Sequence, residues 1–132
     1  MIEQQEQTHP IDKLGAVATP EDMVKLQDAA KDVYVDSTVR SYIVKLTAAT
    51  RNHDDVSLGA SPRASLGMFR AARGIAILRD RDYVIPDDVK ELAYAVLAHR
   101  LILSPAARMR GLHNRQVIDG LLESVSVPGA TP

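Results

Sequence analysis

The chain has 132 residues, with 16 basic and 17 acidic side chains, a formal net charge of -1 at pH 7 and 45% hydrophobic content. That supports one buried core and gives no bulk electrostatic drive toward nucleic acid or an anionic membrane. With no cysteine there is no disulfide framework and no thiolate zinc site; no uncharged run approaches the ~20 residues of a membrane span, and the polar start opens no signal peptide. A cytoplasmic protein that engages neither nucleic acid nor membrane is the resulting expectation.

Residues 1–18 are polar, lack sustained periodicity and read as a flexible linker. Order is expected from Thr19, an N-cap followed by Pro20 and the acidic pair Glu21-Asp22, which start a helix running to about Val33 with Met23, Leu26 and Ala30 on one side. Val33-Tyr34-Val35 reads as a very short strand. Asp36 or Ser37 then caps a second helix whose Val39, Tyr42, Ile43, Leu46 and Ala49 recur at three- and four-residue steps, ending near Asn52 to Asp55.

Gly59-Ala60-Ser61-Pro62-Arg63 marks the next start. Gly59 permits a tight turn, Ser61 offers a capping oxygen, Pro62 suits the first helical position, and Arg63 follows beside the exposed amides of the first turn. A helix N-terminus attracts anions, and a guanidinium adds a planar fork of donors matched to phosphate oxygens. This third helix is expected to run from Pro62 to about Arg79 at the centre of a bundle, with Met68, Ala72, Ile75 and Ala76 on one face and Leu66 and Ile77 adding apolar surface elsewhere. Arg63 and Arg70, seven residues apart, nearly superpose around its axis with Gly67 and Gly74 along the stripe. Two readings stay open: the arginines flank a phosphate-bearing ligand or admit another backbone, or the glycines are tolerated on an exposed stripe at about 1 kcal/mol each.

After the alternating charges of Arg79 to Asp82, Tyr83-Val84-Ile85 reads as a short strand and Pro86-Asp87-Asp88 opens a fourth helix with Val89, Leu92, Ala93, Val96 and Leu97 on its apolar stripe. Ile85 lacks a capping oxygen, and Asp88 is placed to compensate. His99 reads as a helix-end residue, Leu101-Ile102-Leu103 as a buried strand, and Ser104-Pro105 as the start of a short turn or helix. A last helix spans Asn114 to Ser124, burying Val117, Ile118, Leu121, Leu122 and Val125; residues 128–132 read as a loose tail. Residues 61–115 hold ten basic and five acidic side chains, which read as solvated helix faces; no aromatic interleaving suits them to single-stranded nucleic acid.

Three of these stretches occur in a familiar order: Gly59 to Ala72 (GASPRASLGMFRAA), Arg81-Asp82-Tyr83-Val84 with Pro86-Asp87-Asp88-Val89, and Leu97-Ala98-His99-Arg100-Leu101. From about Thr19 to Val127 the chain resembles the C-terminal lid of MoxR-type AAA+ ATPases. It departs from the usual pattern at Ile85, where threonine is common, and at Gly67 and Gly74, where alanine is typical. The resemblance implies an all-α fold, a small helical bundle with at most a minimal β element, with residues 1–18 as the linker from an ATPase core, 19–127 as the lid and 128–132 as the tail. It implies that Arg63 is the sensor 2 residue touching bound ATP, beside Ser61 and Pro62 and with Arg70 as a weaker second contact, Mg being supplied by the core. The implied partners are that N-terminal core, neighbouring subunits of a ring, usually hexameric, and von Willebrand factor A domain proteins served by chaperone-like remodelling.

The chain lacks a Gly-x-x-x-x-Gly-Lys-Ser/Thr loop to wrap phosphates and an apolar run ending in Asp-Glu to hold magnesium. Turnover and tight ATP binding by these residues alone are therefore not expected. No Gly-x-Ser-x-Gly elbow is present, and His9, His53, His99 and His113 have no metal-site spacing. The rival reading is a freestanding helical adaptor that binds protein partners through its leucine-rich faces and never meets ATP.

Overall fold

Where the helices begin is decided by local chemistry. In the computed structural model, which describes residues 14–129, α1 (Pro20–Asp32) starts after Thr19, whose hydroxyl accepts from the Asp22 amide at 3.2 Å while the Asp22 carboxylate accepts from the Thr19 amide at 3.0 Å. This reciprocal pair satisfies two otherwise orphaned donors. The Asp36 carboxylate caps α2 (Ser37–Ala49) by accepting from the Thr38 amide at 2.8 Å. Proline occupies the first turn of α3 (Pro62–Leu78), α4 (Pro86–Leu97) and the one-turn α5 (Pro105–Met109), where its missing N-H costs nothing. The last element is α6 (Asn114–Ser124). Asp88 takes over the capping role that Ile85 cannot fill, its carboxylate accepting from the Ile85 amide at 3.0 Å.

The architecture is all-α, with one two-stranded antiparallel ribbon of β1 (Val56–Leu58) and β2 (Ile102–Leu103). The expected strand at Leu101 to Leu103 is present as β2 but is not wholly buried, since Leu101 and Leu103 point inward while Ile102 is 50% exposed. Its partner, β1, carries no periodic signal because it is three residues long and pairs with a segment distant in the chain, Val56 with Leu103 and Leu58 with Ile102. The expected strands at Val33 to Val35 and Tyr83 to Ile85 reduce to one parallel bridge between Tyr34 and Tyr83, in which the Tyr34 amide donates to Asp82 O at 2.8 Å and the Val84 amide to Tyr34 O at 3.0 Å. α2 stops at Ala49, a few residues before the Asn52 to Asp55 expected.

α3 lies at the centre, touching α1, α2 and α4. Its buried stripe is Ala64, Met68, Ala72 and Ala76, so small side chains let the neighbours approach. Tyr42, Ile43 and Leu46 from α2, Val89, Ala93 and Leu97 from α4, and Ile118 and Leu121 from α6 complete the core. Each fully buried large apolar side chain stabilises the fold by about 1.5 to 3 kcal/mol. Asn114 joins the last layer to the rest by donating to Ala98 O at 2.7 Å and Leu101 O at 3.0 Å.

Two apolar stripes are left largely uncovered. α1 buries no residue, leaving Met23, Val24 and Leu26 about half exposed, and Leu66 on α3 is 58% exposed. Both helices have the right period, but nothing among the described residues covers those sides. The expected linker falls, through residue 13, outside the described residues, as do residues 130–132 of the expected tail. No helix of the described residues is long and apolar enough to cross a membrane.

Candidate functional site

The corner before α3 is held by the end of α2. A Cβ on Gly59 would stand 2.6 Å from Thr50 O and 2.7 Å from Arg51 Cα, so glycine is required here by the close approach of two backbone segments. The Ala60 amide donates to Thr50 Oγ1 at 2.9 Å, that hydroxyl donates to Thr47 O at 2.6 Å, and Arg51 Nη1 donates to Ala60 O at 2.9 Å. Thr50 and Ala60 are fully buried. The buried Thr50 hydroxyl and the amide and carbonyl of Ala60 are all paired inside the fold, which fixes the entry of the chain into α3. The sequence shows the glycine but not the threonine it must meet.

Ser61, Pro62 and Arg63 follow the latch and are all exposed. Ser61 occupies the N-cap position with extended backbone (φ -74°, ψ 165°), yet its side chain makes no capping hydrogen bond. The expected serine cap is therefore corrected: rigidity at this corner comes from Thr50 and Arg51, and no side chain competes for the first amides of α3. The first turn carries no acidic residue, so its partial positive charge is uncompensated. None of the ion pairs among the described residues involves Arg63 or Arg70. An exposed, unpaired guanidinium beside an uncapped helix N-terminus suits an anion such as a phosphate.

Arg70 is separated from that corner by two turns, about 10 Å along the axis, and lines a hollow between α1 and α3 with Lys31, Phe69 and Arg73. Arg63 and Arg70 thus share a side of α3 without converging on one point. Gly67 and Gly74 have open space where a Cβ would be, so within the described residues they admit no close backbone.

A second polar cluster, only partly legible in the sequence, braces the far end of α3. The Asp88 carboxylate, fully buried, accepts from Arg81 Nη2 at 2.6 Å, Arg81 Nη1 at 2.9 Å, Arg79 Nη1 at 3.1 Å and the Ile85 amide. Burial by itself would raise its pKa. The Arg81 hydrogen bonds, the Ile85 amide and the charges of Arg81 and Arg79 outweigh burial and hold it below the ordinary value. Arg79 also pairs with Glu91 at 2.6 Å, and Arg81 Nη1 donates to Tyr83 O at 2.9 Å. With every lone pair directed at a cation or amide, this cluster is a brace between the end of α3 and the start of α4. No group of three or more metal-ligating side chains occurs among the described residues.

The family model described as the AAA lid domain matches residues 48–121. YeaC of Bacillus subtilis is 40% identical over 124 residues, covering 94% of this chain and 39% of that protein, and the chaperone MoxR1 of Mycobacterium tuberculosis is 40% identical over 116 residues, covering 81% and 31%. A crystal structure of a candidate ATPase from Cytophaga hutchinsonii superposes with a TM-score of 0.78 at 33% identity, covering 81% of this chain and 35% of that one. The chain thus spans between 31% and 39% of the length of these relatives.

Proposed function

Because this chain belongs to the AAA lid domain family, as a lid of the MoxR type, we propose that Arg63 is its sensor 2 residue, coupling ATP held by an N-terminal core to movement of the lid. The observation carrying this reading is the latch: Gly59, Thr50 and Arg51 hold an unpaired Arg63 at an uncapped helix N-terminus. Such a corner fits a phosphate chain, with Arg63 as the main contact, Ser61 and Pro62 shaping the approach and Arg70 a more distant second cation. Bound ATP with Mg would supply the transferable phosphoryl group. Arg63 contributes a positive charge and a rigid fork of donors, which favour charge on the phosphate oxygens and tie its position to α3. Since α3 packs on three helices, displacement of its first turn is passed to the bundle.

The domain boundaries fit the same reading: linker to residue 18, lid from 19 to 127, tail from 128. Ring neighbours, usually in a hexamer, and von Willebrand factor A domain proteins are then the partners, remodelling is the task, and the cytoplasm is its place. The chaperone named among the relatives supports the remodelling role.

In the full-length protein, Arg63→Ala should lower ATP turnover by up to about three orders of magnitude, while the stability of the lid changes by no more than about 0.5 kcal/mol, as at other exposed positions. Arg63→Lys should keep part of the activity, because a point charge cannot reproduce the fork. Steady-state hydrolysis and nucleotide affinity, read beside thermal unfolding, decide the matter. Unchanged hydrolysis and affinity in Arg63→Ala would remove the sensor role and favour the adaptor.

A further inference from the structure

Two hollows on the uncovered side of α3 meet at Phe69. One, about 590 Å³, lies between α1 and α3 and is lined by Lys31, Arg70, Arg73 and Phe69 together with Gln27 and Ala30. The other, about 260 Å³, lies between α2 and α3 and is lined by Phe69, Leu66, Ile43 and Val44, with Arg40 and Ser65 at its border. No carboxylate lines either hollow. The first is basic through Arg70 and Arg73, Lys31 being paired with Asp28 at 2.7 Å; the second is apolar, and the two adjoin at the shared ring of Phe69 as one groove.

The groove has unmet requirements of both kinds. The Arg73 guanidinium stacks 4.5 Å from the centroid of Phe69, and its Nε is buried with no hydrogen-bond partner among the described residues. A buried donor left unpaired is costly, so it points to an acceptor that arrives from elsewhere. On the apolar side, Val44 and Leu66 are 56% and 58% exposed. Met23 and Leu26, about half exposed, continue along α1 at helical spacing from Ala30, which lines the basic hollow.

We propose that this groove seats an acidic, amphipathic helix belonging to the ATPase part of the same protein, its apolar face on Phe69 and Leu66 and a carboxylate on Arg73. The proposal rests on the function proposed above. More than half the length of the relatives lies outside the region this chain matches, which leaves ample polypeptide to cover the face. The position follows from spacing: Arg63, Leu66, Arg70, Arg73 and Ile77 recur at steps of three and four along one stripe of α3. A segment lying in the groove therefore runs up to Arg63, where the core must hold its nucleotide. The stripe is about 20 Å long, the length of a helix of roughly 14 residues. The charge complement is acidic, and an apolar helix laid in a groove anchors through residues at the same three- and four-residue steps.

The test places a photoreactive benzoylphenylalanine at Leu66, and separately at Val44, in the full-length protein, and maps the adducts by mass spectrometry after irradiation. The expected adduct lies in a helical peptide of the ATPase part that carries carboxylates beside apolar residues. Its yield should fall about tenfold in Arg73→Glu and recover when the facing carboxylate is replaced by lysine. Lys31→Glu provides a second charge reversal, and thermal melts confirm that both variants fold. An adduct to the same groove of a second copy, to nucleic acid or to an unrelated protein would overturn the proposal, as would a yield indifferent to both reversals or no adduct from either position. Nucleotide affinity of Arg63→Ala is read separately: if it is unchanged while the adduct forms, the sensor role fails and the groove assignment stands.

Discussion

Replacing Asp88 by asparagine tests the brace that joins α3 to α4. The substitution keeps size and one carbonyl acceptor for the Ile85 amide, whose capping contribution is about 1 kcal/mol, and removes only the charge. Two cations lose their partner, unequally. Arg79 is 45% exposed and keeps Glu91 at 2.6 Å, so its loss is the small one of a surface pair. Arg81 is 18% exposed and keeps Tyr83 O and the Tyr83 ring, 5.9 Å away, but no anionic partner, so its charge is left partly desolvated and uncompensated. Truncating such a pair costs about 3 to 5 kcal/mol when fully buried; partial access to water at Arg81 sets the expected loss near the lower end, about 3 kcal/mol. Asp88→Ala, which also loses the cap, should cost about 4 kcal/mol. For a domain of this size the melting temperature should fall by about 10 °C or more in either case. The pH dependence adds a sign. The carboxyl is held below its ordinary value of 3.8 in the folded protein, so the stability it contributes is present above that pH and is lost as pH falls through the lower folded value. Asp88→Asn should lack this acid limb. Urea titrations followed by far-UV circular dichroism at pH 7 and stepwise toward pH 3 measure both quantities. A loss under about 0.5 kcal/mol at pH 7, or parallel acid limbs in the two proteins, would refute the account.

Gly59→Ala should destabilise the fold by about 1 to 3 kcal/mol, as overpacking does, because the new methyl meets backbone that cannot move without opening the latch; urea unfolding reads it, and an unchanged midpoint would contradict the geometry. Thr50→Val removes the acceptor for the buried Ala60 amide and should cost about 1 to 3 kcal/mol in the same assay. In hydrogen exchange of the 132-residue chain, amides of α1 should exchange faster than those of α3 and α4, since α1 buries no side chain; equal protection would show that α1 is held by contacts not described above.

Helix starts were legible because the signals are local. Thr19-Pro20, Asp36, Ser61-Pro62 and Pro86 each mark a first turn through chemistry within four residues, and the elements begin there. What escaped depends on distant partners. β1 exists only because Ile102 and Leu103 pair with it, and the latch needs Thr50 to stand against Gly59. The stripe of Met23 and Leu26 has the period of a buried face and remains exposed, since period reports that a face is apolar and not what covers it. Of the candidate site, the position of Arg63 at the head of α3 was readable. Why it is held there was not, and Ser61, chosen for its hydroxyl, contributes only backbone to the corner.

The bridge between Tyr34 and Tyr83 gives α1 the character of a lever. Val33 and Val35, on either side of Tyr34, are buried, whereas no residue of α1 itself is. α1 also rests on α3, but its firmest anchorage is the Tyr34 bridge beyond its C-terminal end; with a rod of about 20 Å, a tilt of about 10° at Tyr34 would carry Thr19 through about 3.5 Å. The arm works in both directions: a small pull on the chain entering at Thr19 is concentrated as torque on the segment Asp82 to Val84, whose backbone holds the pivot and whose Tyr83 carbonyl also receives Arg81. A displacement at Thr19 would thereby bear on the turn between α3 and α4.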